Sequence, residues 1–480
     1  MKLLLEIIEQ AFFGGSEFLG GGVDELFKKK SKLLEAKFGN EYELLSRYNQ
    51  GFALGTKRFT TLQSRQNLLL FAASGVGKTS VCLIPSAISV CTSKLGASMI
   101  INDPSGELSV LVYLLLKNGY TVLKFDPNDP KKSIYYNPLT RIKNKSDIQK
   151  IARMLVKKST KELDFWAVKA IELIALIIEF LIDHAPKVNQ NLANVYYLLQ
   201  NLAGNEDVIN GLFIEKATEQ QWIAFKSVIA NSPNTKASIV SSALSNLSWL
   251  GSDPVLCDLT SVDTFNVSHM RIEKTVLFLN CPLNDMEHYS VLLGLFFEQV
   301  FTEVFSSLPQ EEDKDIYLLI DELSTIPLPN LASVISNARK FKMPILGVLQ
   351  SENQLYENYG QYNAKTIINN ACRVYMTGLT DECERLEKTL GTFQYYEDKD
   401  KKVVRSRPLM TSDEIRTMPQ NRVIVLPNGG MRPLFVKVKP YYKIPKYLRF
   451  LKTEAPEDYM PLQSADYKVQ YLSLEKYKNQ

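Results

Sequence analysis

The stretch Leu68-Leu69-Leu70-Phe71-Ala72-Ala73-Ser74-Gly75-Val76-Gly77-Lys78-Thr79-Ser80 reads as a short apolar strand, a tight loop and the start of a helix. Gly75 and Gly77 let backbone amides turn inward and approach oxygen atoms that any Cβ would block. The helix that follows points its positive end at the same place. A loop of this kind cradles phosphate, so Ser74, Gly75, Val76, Gly77, Lys78, Thr79 and Ser80 are the candidate nucleotide contacts. Lys78 reaches for the β- and γ-phosphates, and the Thr79 hydroxyl is a candidate magnesium ligand. ATP and Mg2+ are the expected cofactors. The usual pattern opens with glycine; here that position is Ala72.

Working outward, six more short runs are apolar on both faces: 97–102, 121–125, 275–279, 316–320, 344–349 and 372–377. Helical pattern or a long insertion separates them, which is how strands of a parallel sheet covered by helices read. The expected fold class is therefore α/β and doubly wound. The run Ile316–Ile320 ends at Asp321-Glu322, which delivers two acids to the end of a strand where ligands bind in open sheets. Asp321 is the candidate to hold magnesium, and Glu322 the candidate base that orients the attacking water. Alone, such acids read equally as a solvated loop.

The run 344–349 ends at Gln350, which either senses the γ-phosphate from a neighbouring strand tip or simply ends a strand. Arg339 lies between these strands, after the helix from Leu331. It has two readings: a favourable charge at a helix C-terminus, or an arginine projected into a neighbouring subunit's ATP site to stabilise transition-state charge.

Composition narrows the class. Hydrophobic residues make up 45% and charged residues 22% of 480, ordinary for a globular chain with room for two to four domains. A net charge of +4 permits contact with nucleic acid without arguing for it. Six cysteines without a CxxC pair and three histidines offer no zinc-ligand spacing and suit free thiols in a reducing compartment. No run reaches the roughly 18 apolar residues of a spanning helix, so the expected location is cytoplasmic, with docking to the inner membrane through a partner.

The expected organisation is a helical segment over 1–50, with a basic run at 27–39, then a nucleotide-binding domain in two parts, 51–145 and 269–442. Between Thr140 and Val267 the strand signal vanishes, so 146–268 reads as an inserted all-α domain. The tail 443–480 is rich in Tyr and Lys, and partial order is expected there.

In their order, the motifs resemble those of the coupling proteins of type IV secretion and bacterial conjugation (TraG/TraD-like). They are GKTSVCLIPS at 77–86, DPSGEL at 103–108, FDP at 125–127, YNPL at 136–139, DFW at 164–166 and LLIDEL at 318–323. NARKFKM at 337–343, LQSENQLYENYG at 349–360, TGLTDECE at 377–384 and RPLMTSDEIRTMP at 407–419 follow. The resemblance covers about residues 51 to 442. It implies a RecA-like P-loop ATPase with a mostly parallel central sheet and an inserted all-helical domain, assembling as a homo-hexamer. It also implies that ATP hydrolysis drives single-stranded DNA, with its bound relaxase, towards a type IV secretion channel. The implied partners are single-stranded DNA, relaxase or relaxosome proteins, and a secretion ATPase or membrane subunit. Arg339 matches the family's arginine thought to act in trans, and Gln350 the family's glutamine.

Two departures stand out. Family members commonly begin with membrane-spanning helices, and they carry lysine where Ser105 stands. Lys399, Lys401, Lys402 and Arg405 could grip a DNA backbone, but they also read as a solvated hairpin loop. A nucleotide-dependent recruitment adaptor for protein substrates is the alternative function, and a DNA translocase of segregation or packaging a third; the helical insertion and motif order favour secretion.

Overall fold

The computed structural model describes residues 36–156, 164–326, 328–397, 404–451, 453–456 and 467–477. The expected N-terminal helices up to residue 35, and Lys399, Lys401 and Lys402, lie outside the described residues. Thirteen strands occur among those described. They are β1 (Ala53–Leu54), β2 (Lys57–Arg58), β3 (Leu68–Phe71), β4 (Ser98–Asn102), β5 (Thr121–Phe125), β6 (Thr275–Leu279) and β7 (Ile316–Ile320). The rest are β8 (Ile345–Leu349), β9 (Cys372–Tyr375), β10 (Thr392–Tyr396), β11 (Val404–Pro408), β12 (Arg422–Leu426) and β13 (Leu434–Lys437).

Nine of them form one sheet in the order β13-β12-β9-β3-β8-β7-β4-β6-β5. From β9 to β5 every pairing is parallel; β12 joins β9 antiparallel and β13 joins β12 antiparallel. The seven parallel strands are the seven apolar runs of the sequence, trimmed by one or two residues at some ends. In β3, β4, β6, β7 and β8 every residue is buried. Burial on both faces is what a parallel sheet covered by helices requires, and it explains runs without polar alternation. The covering helices include α1 (Ile84–Cys91), with all eight residues buried, and α2 (Val112–Lys117).

Between β5 and β6 the described residues form only helices. The longer ones are α3 (Lys145–Val156), α4 (Phe165–His184), α5 (Leu192–Gly204), α6 (Glu206–Lys216), α7 (Glu219–Ile229) and α8 (Pro233–Asn246). Most have a side-chain N-cap: Asp164, Asn191, Thr218 and Ser232 each accept an amide from the first turn, which offsets donors the helix leaves unpaired. Within this segment Phe180, Phe213 and Phe225 stack in series, with ring centroids 4.4 and 4.2 Å apart.

The chain divides into two compact units. The larger contains residues 39–379 and 418–480, and so holds both the sheet and the helices α3–α8. The smaller contains residues 380–417 with the chain up to Phe38. In it β10 and β11 form a two-stranded antiparallel hairpin, and Arg405 in β11 bonds Glu397 at 2.6 Å. Within the larger unit, α9 (Met286–Val304), α10 (Leu331–Asn337) and α11 (Asn353–Asn369) complete the connections between strands. Among the described residues of the tail, Pro445–Leu451 is helical, and Leu474 and Tyr477 are buried. No helix among the described residues is long and apolar enough to cross a membrane.

Candidate functional site

Parallel register lines up the strand ends. Phe71 pairs with Leu349 and with Tyr375, and Asn102 with Ile320. The residues just beyond the C-terminal ends of β3, β8, β7 and β4 are therefore Ala72, Gln350, Asp321 and Asp103, side by side along one edge.

Ala72 extends the ladder of β3 by donating its amide to the Leu349 carbonyl at 3.1 Å, and it is fully buried. Its φ is not positive, so the glycine of the usual pattern is not required there. The turn is made later, where Gly75 and Gly77 take φ of 76° and 94°. Around Gly75 the space is open to 4 Å, so only its backbone conformation calls for glycine. A Cβ on Gly77 would in addition lie 2.9 Å from the Ser80 hydroxyl. That hydroxyl donates back to the Gly77 carbonyl at 3.0 Å, so Ser80 shapes the loop. Ser74 and Gly75 are exposed at the tip, while Val76 packs inward against the core. From Thr79 to Leu83 the first turn is a wide π-helix that passes into α1. Such wide turns concentrate at functional positions.

Lys78 is 7% exposed, and its Nζ donates to Glu322 Oε1 at 2.9 Å. Thr79 Oγ1 lies 3.4 Å from Asp321 Oδ2, at the limit of a hydrogen bond. Residues some 240 positions apart thus meet in two adjacent pairs. Glu322 takes φ of 55°, a left-handed conformation costing a non-glycine residue roughly 1 kcal/mol. The bend is held by three bonds. Leu323 donates its amide to the Val348 carbonyl at 2.8 Å, and Thr325 donates its amide and its hydroxyl to the Glu322 carbonyl at 3.0 and 2.8 Å.

Asp321 is 7% exposed, and its Oδ1 has no hydrogen-bond partner among the described residues. Burial first, and Glu322 second, push its carboxyl up to about 6; Lys78 opposes them, and Asp103 and Glu107 add to the rise. A buried carboxylate with an idle oxygen, beside a threonine hydroxyl, is an oxygen-donor set that suits a magnesium ion. No group of three or more His, Cys, Asp or Glu able to cage a metal occurs among the described residues.

Gln350 stands at the tip of β8, between the phosphate loop and the acid pair, with its main-chain N–H donating to Gln354 Oε1 at 2.8 Å. Arg339 is placed elsewhere. It lies in the connection from α10 into the N-terminal end of β8, the opposite end from Gln350, and is exposed. The chain therefore assembles Lys78, Thr79, Asp321, Glu322 and Gln350 and leaves Arg339 outside its own site.

Three residues support the site without a role of their own in the sequence reading, although Asp103 and Gly378 stand within the DPSGEL and TGLTDECE motifs. Asn102 donates its amide nitrogen to the Asp321 carbonyl at 3.0 Å and so fixes the end of β7 from the neighbouring strand. Asp103 accepts the Leu108 amide at 2.9 Å and the Ser105 hydroxyl at 3.2 Å, which occupies Ser105 within the turn. Gly378, at φ 85°, passes so close under the loop that a Cβ would lie 2.7 Å from Ala73 Cβ. The signal for the first two was present: Asn102-Asp103 is a polar pair closing a buried run, as Asp321-Glu322 is.

Comparison with known proteins places this edge in context. The family model for type IV secretory system conjugative DNA transfer matches residues 23–466. Protein VirD4 of Agrobacterium fabrum strain C58 is 23% identical over 433 residues, covering 83% of this chain and 63% of that protein. Protein VirD4 of Rhizobium rhizogenes is 22% identical over 408 residues, 80% of this chain and 60% of that one. The chain thus spans about three fifths of the length of these curated relatives. Among solved structures, the bacterial conjugative coupling protein TrwBdeltaN70 in complex with sulphate aligns with a TM-score of 0.65 at 20% identity, covering 86% of this chain and 96% of that one. The plasmid coupling protein TrwB in complex with ADP and Mg2+ gives 0.64 at 20% identity, over 85% and 97%. At such identities the likeness is one of fold: an α/β, RecA-like nucleoside-triphosphatase architecture around a mostly parallel sheet. The family match spans nearly the whole sequence, and the chain belongs to the coupling proteins of type IV secretory conjugative DNA transfer.

Proposed function

We propose that the chain is an ATP-driven coupling protein that recruits single-stranded DNA with a bound relaxase and pumps it towards a type IV secretion channel. The observation that carries this reading is the convergence of Lys78 and Thr79 with Glu322 and Asp321 at one sheet edge.

On this reading the loop amides from Ser74 to Ser80 bind the phosphates, and the Lys78 ammonium leaves Glu322 for a phosphate oxygen. Exchange of one anionic partner for another keeps the buried lysine paired throughout, which limits the desolvation cost. Thr79 and Asp321 hold the magnesium ion, which supplies charge neutralisation at the phosphates when bound. Released from Lys78, the Glu322 carboxylate accepts a hydrogen bond from water and aligns it for attack on the terminal phosphorus as the bond to ADP breaks. Gln350, one strand away, is placed to register whether that phosphate is present.

Arg339 is assigned to a neighbouring subunit's site, since it lies far from its own. That assignment requires a ring, a homo-hexamer by analogy with the family. Action on the cytoplasmic side of the inner membrane, docked through a partner subunit, follows from the same reading. TrwB has been solved with ADP and Mg2+ and with a non-hydrolysable ATP analogue, which supports ATP and Mg2+ as the cofactors here.

The test is ATP turnover by the purified chain with and without single-stranded DNA, over a salt series. A motor turns over ATP and is stimulated by DNA, and the stimulation fades as salt displaces phosphate-backbone contacts. No turnover under either condition contradicts the motor and leaves nucleotide-dependent recruitment of protein substrates.

A further inference from the structure

Away from the phosphate site, one face of the helical segment receives the chain's own C-terminal end. Residues 467–474 are non-helical and unpaired with any strand, and a single turn follows at Glu475–Tyr477. Their main chain is read by side chains of the helical segment. Asn194 accepts the Leu472 amide and donates to the Gln470 carbonyl, each at 2.8 Å, and Asn189 donates to that same carbonyl at 2.8 Å. Asp258 accepts the Val469 amide at 2.9 Å and pairs with Lys468 at 3.0 Å. Further along, Glu215 pairs with Lys476 at 2.7 Å. Between the two carboxylates Tyr471 packs on Tyr197, with centroids 5.1 Å apart, and Leu474 is 1% exposed.

This pattern has the chemistry of peptide recognition. Asn194 is fully buried, and it offers one acceptor and one donor to main-chain groups two residues apart. That clamp fits any extended backbone, whatever its side chains. Selectivity then comes from the apolar contacts, with the two acids at the ends adding a weak preference for basic segments. The holding force is modest, because Lys468 and Lys476 are mostly exposed and such ion pairs contribute little. Tethering compensates, since a covalently attached segment acts at an effective concentration on the order of 1 mM.

We infer that this face is a peptide-recognition groove occupied in cis by residues 467–477. Its other occupant is an extended segment of a protein partner that carries two lysines eight residues apart, with tyrosine and leucine between them. The two carboxylates, Asp258 and Glu215, complement the two lysines of such a segment, and Asn194 clamps its backbone. The tail holds the groove until a partner segment displaces it. None of this depends on the ATPase reading, because the groove and the phosphate site share no residue.

The test uses a labelled synthetic peptide of the sequence 467–477, titrated by fluorescence anisotropy against the full chain and a chain ending at residue 466. The expected result is binding to the shortened chain and at least about tenfold weaker binding to the full chain, as tethered competition requires. In the shortened chain Asn194→Ala should remove most of the binding, a scrambled peptide should not bind, and Lys78→Ala should leave binding unchanged. Should the shortened chain fail to fold, the full chain carrying Lys468→Glu and Lys476→Glu is used instead. With its own tail loosened, it should bind the wild-type peptide more tightly than the full wild-type chain does. Equal binding by full and shortened chains, a folded shortened chain that ignores the peptide, or no gain in the double variant would each overturn the groove. Equal affinity for the scrambled peptide would overturn the assigned recognition chemistry. Self-association of the full chain that disappears on removal of 467–480 would make the occupant a second copy and overturn the partner assignment.

Discussion

Glu322 stands at the junction of strain, charge and chemistry, because its left-handed φ of 55° turns the carboxylate onto Lys78. If the site binds ATP as proposed, this partly buried ion pair opens before phosphate enters, which makes Glu322 a competitor for its own substrate. Glu322→Gln should therefore divide binding from turnover. The variant should hold MgATP more tightly by about three- to tenfold, the equivalent of roughly 1 kcal/mol of lost competition. Its kcat should fall by about 10² or more, the usual loss when a general base is removed. Equilibrium titration and steady-state turnover on the same preparation read both quantities, and unchanged turnover would remove Glu322 from the reaction. Asp321 differs in kind: its Oδ1 is buried and unbonded among the described residues, burial first pushes its carboxyl up to about 6, and on the proposed reading it is a magnesium ligand. Ala72 and Ser105, which depart from the patterns described for their motifs, are accommodated locally. Ala72 continues a strand, and the Ser105 hydroxyl bonds Asp103.

At the level of elements, the acid pair is only as precise as the turn after β7, and that turn rests on β8. Gly347 lies directly beneath it, where a Cβ would sit 2.6 Å from Leu323 Cδ2, and Leu323 is fully buried. Gly347 does not have a positive φ, so the constraint is space alone. Gly347→Ala should destabilise the chain by about 1–3 kcal/mol through overpacking, visible as a lowered Tm. It should also reduce kcat by displacing Glu322; a variant with wild-type Tm and kcat would show that the turn does not need this support. The same elements show what the sequence made legible. β4 and β7 were readable because their runs are buried on both faces and each is followed directly by an acid, Asp103 and Asp321. β12 and β13 were missed, although Arg422–Leu426 and Leu434–Lys437 flank a turn containing Asn428, Gly429 and Gly430, a hairpin signal in plain view. Their antiparallel pairing ends the sheet and carries none of the motifs that mark the parallel strands. The π-turn at Thr79–Leu83 was not legible, since a widened first turn depends on the loop it serves and not on local propensity. Nor was the placement of residues 467–477, whose partners Asn189, Asn194 and Asp258 lie more than 200 positions away.

For the molecule as a whole, the position of Arg339 decides what a single chain can do. It is exposed at the end of β8 opposite the phosphate loop, and no hydrogen-bond or ion-pair partner for its side chain occurs among the described residues. If it completes a neighbour's site, Arg339→Ala should bind MgATP as wild type does and lose about 10³-fold in turnover. Mixed with Lys78→Ala chains, it should regain part of the rate, because each variant supplies what the other lacks. Full turnover by Arg339→Ala alone, or no recovery on mixing, would assign the arginine a local role. Helical segment, sheet and C-terminal end share one compact unit, so displacement of the tail and occupancy of the phosphate site act on the same body. All of these expectations presuppose that the glycine loop and the two acids together form a nucleotide site. The affinity for MgATP of wild type and Lys78→Ala, measured by titration calorimetry, tests that most directly. The account predicts saturable binding by wild type and at least about tenfold weaker binding once the ammonium is gone, the loss of a charge-assisted contact. Equal affinities, or no binding by the wild-type chain, would contradict it.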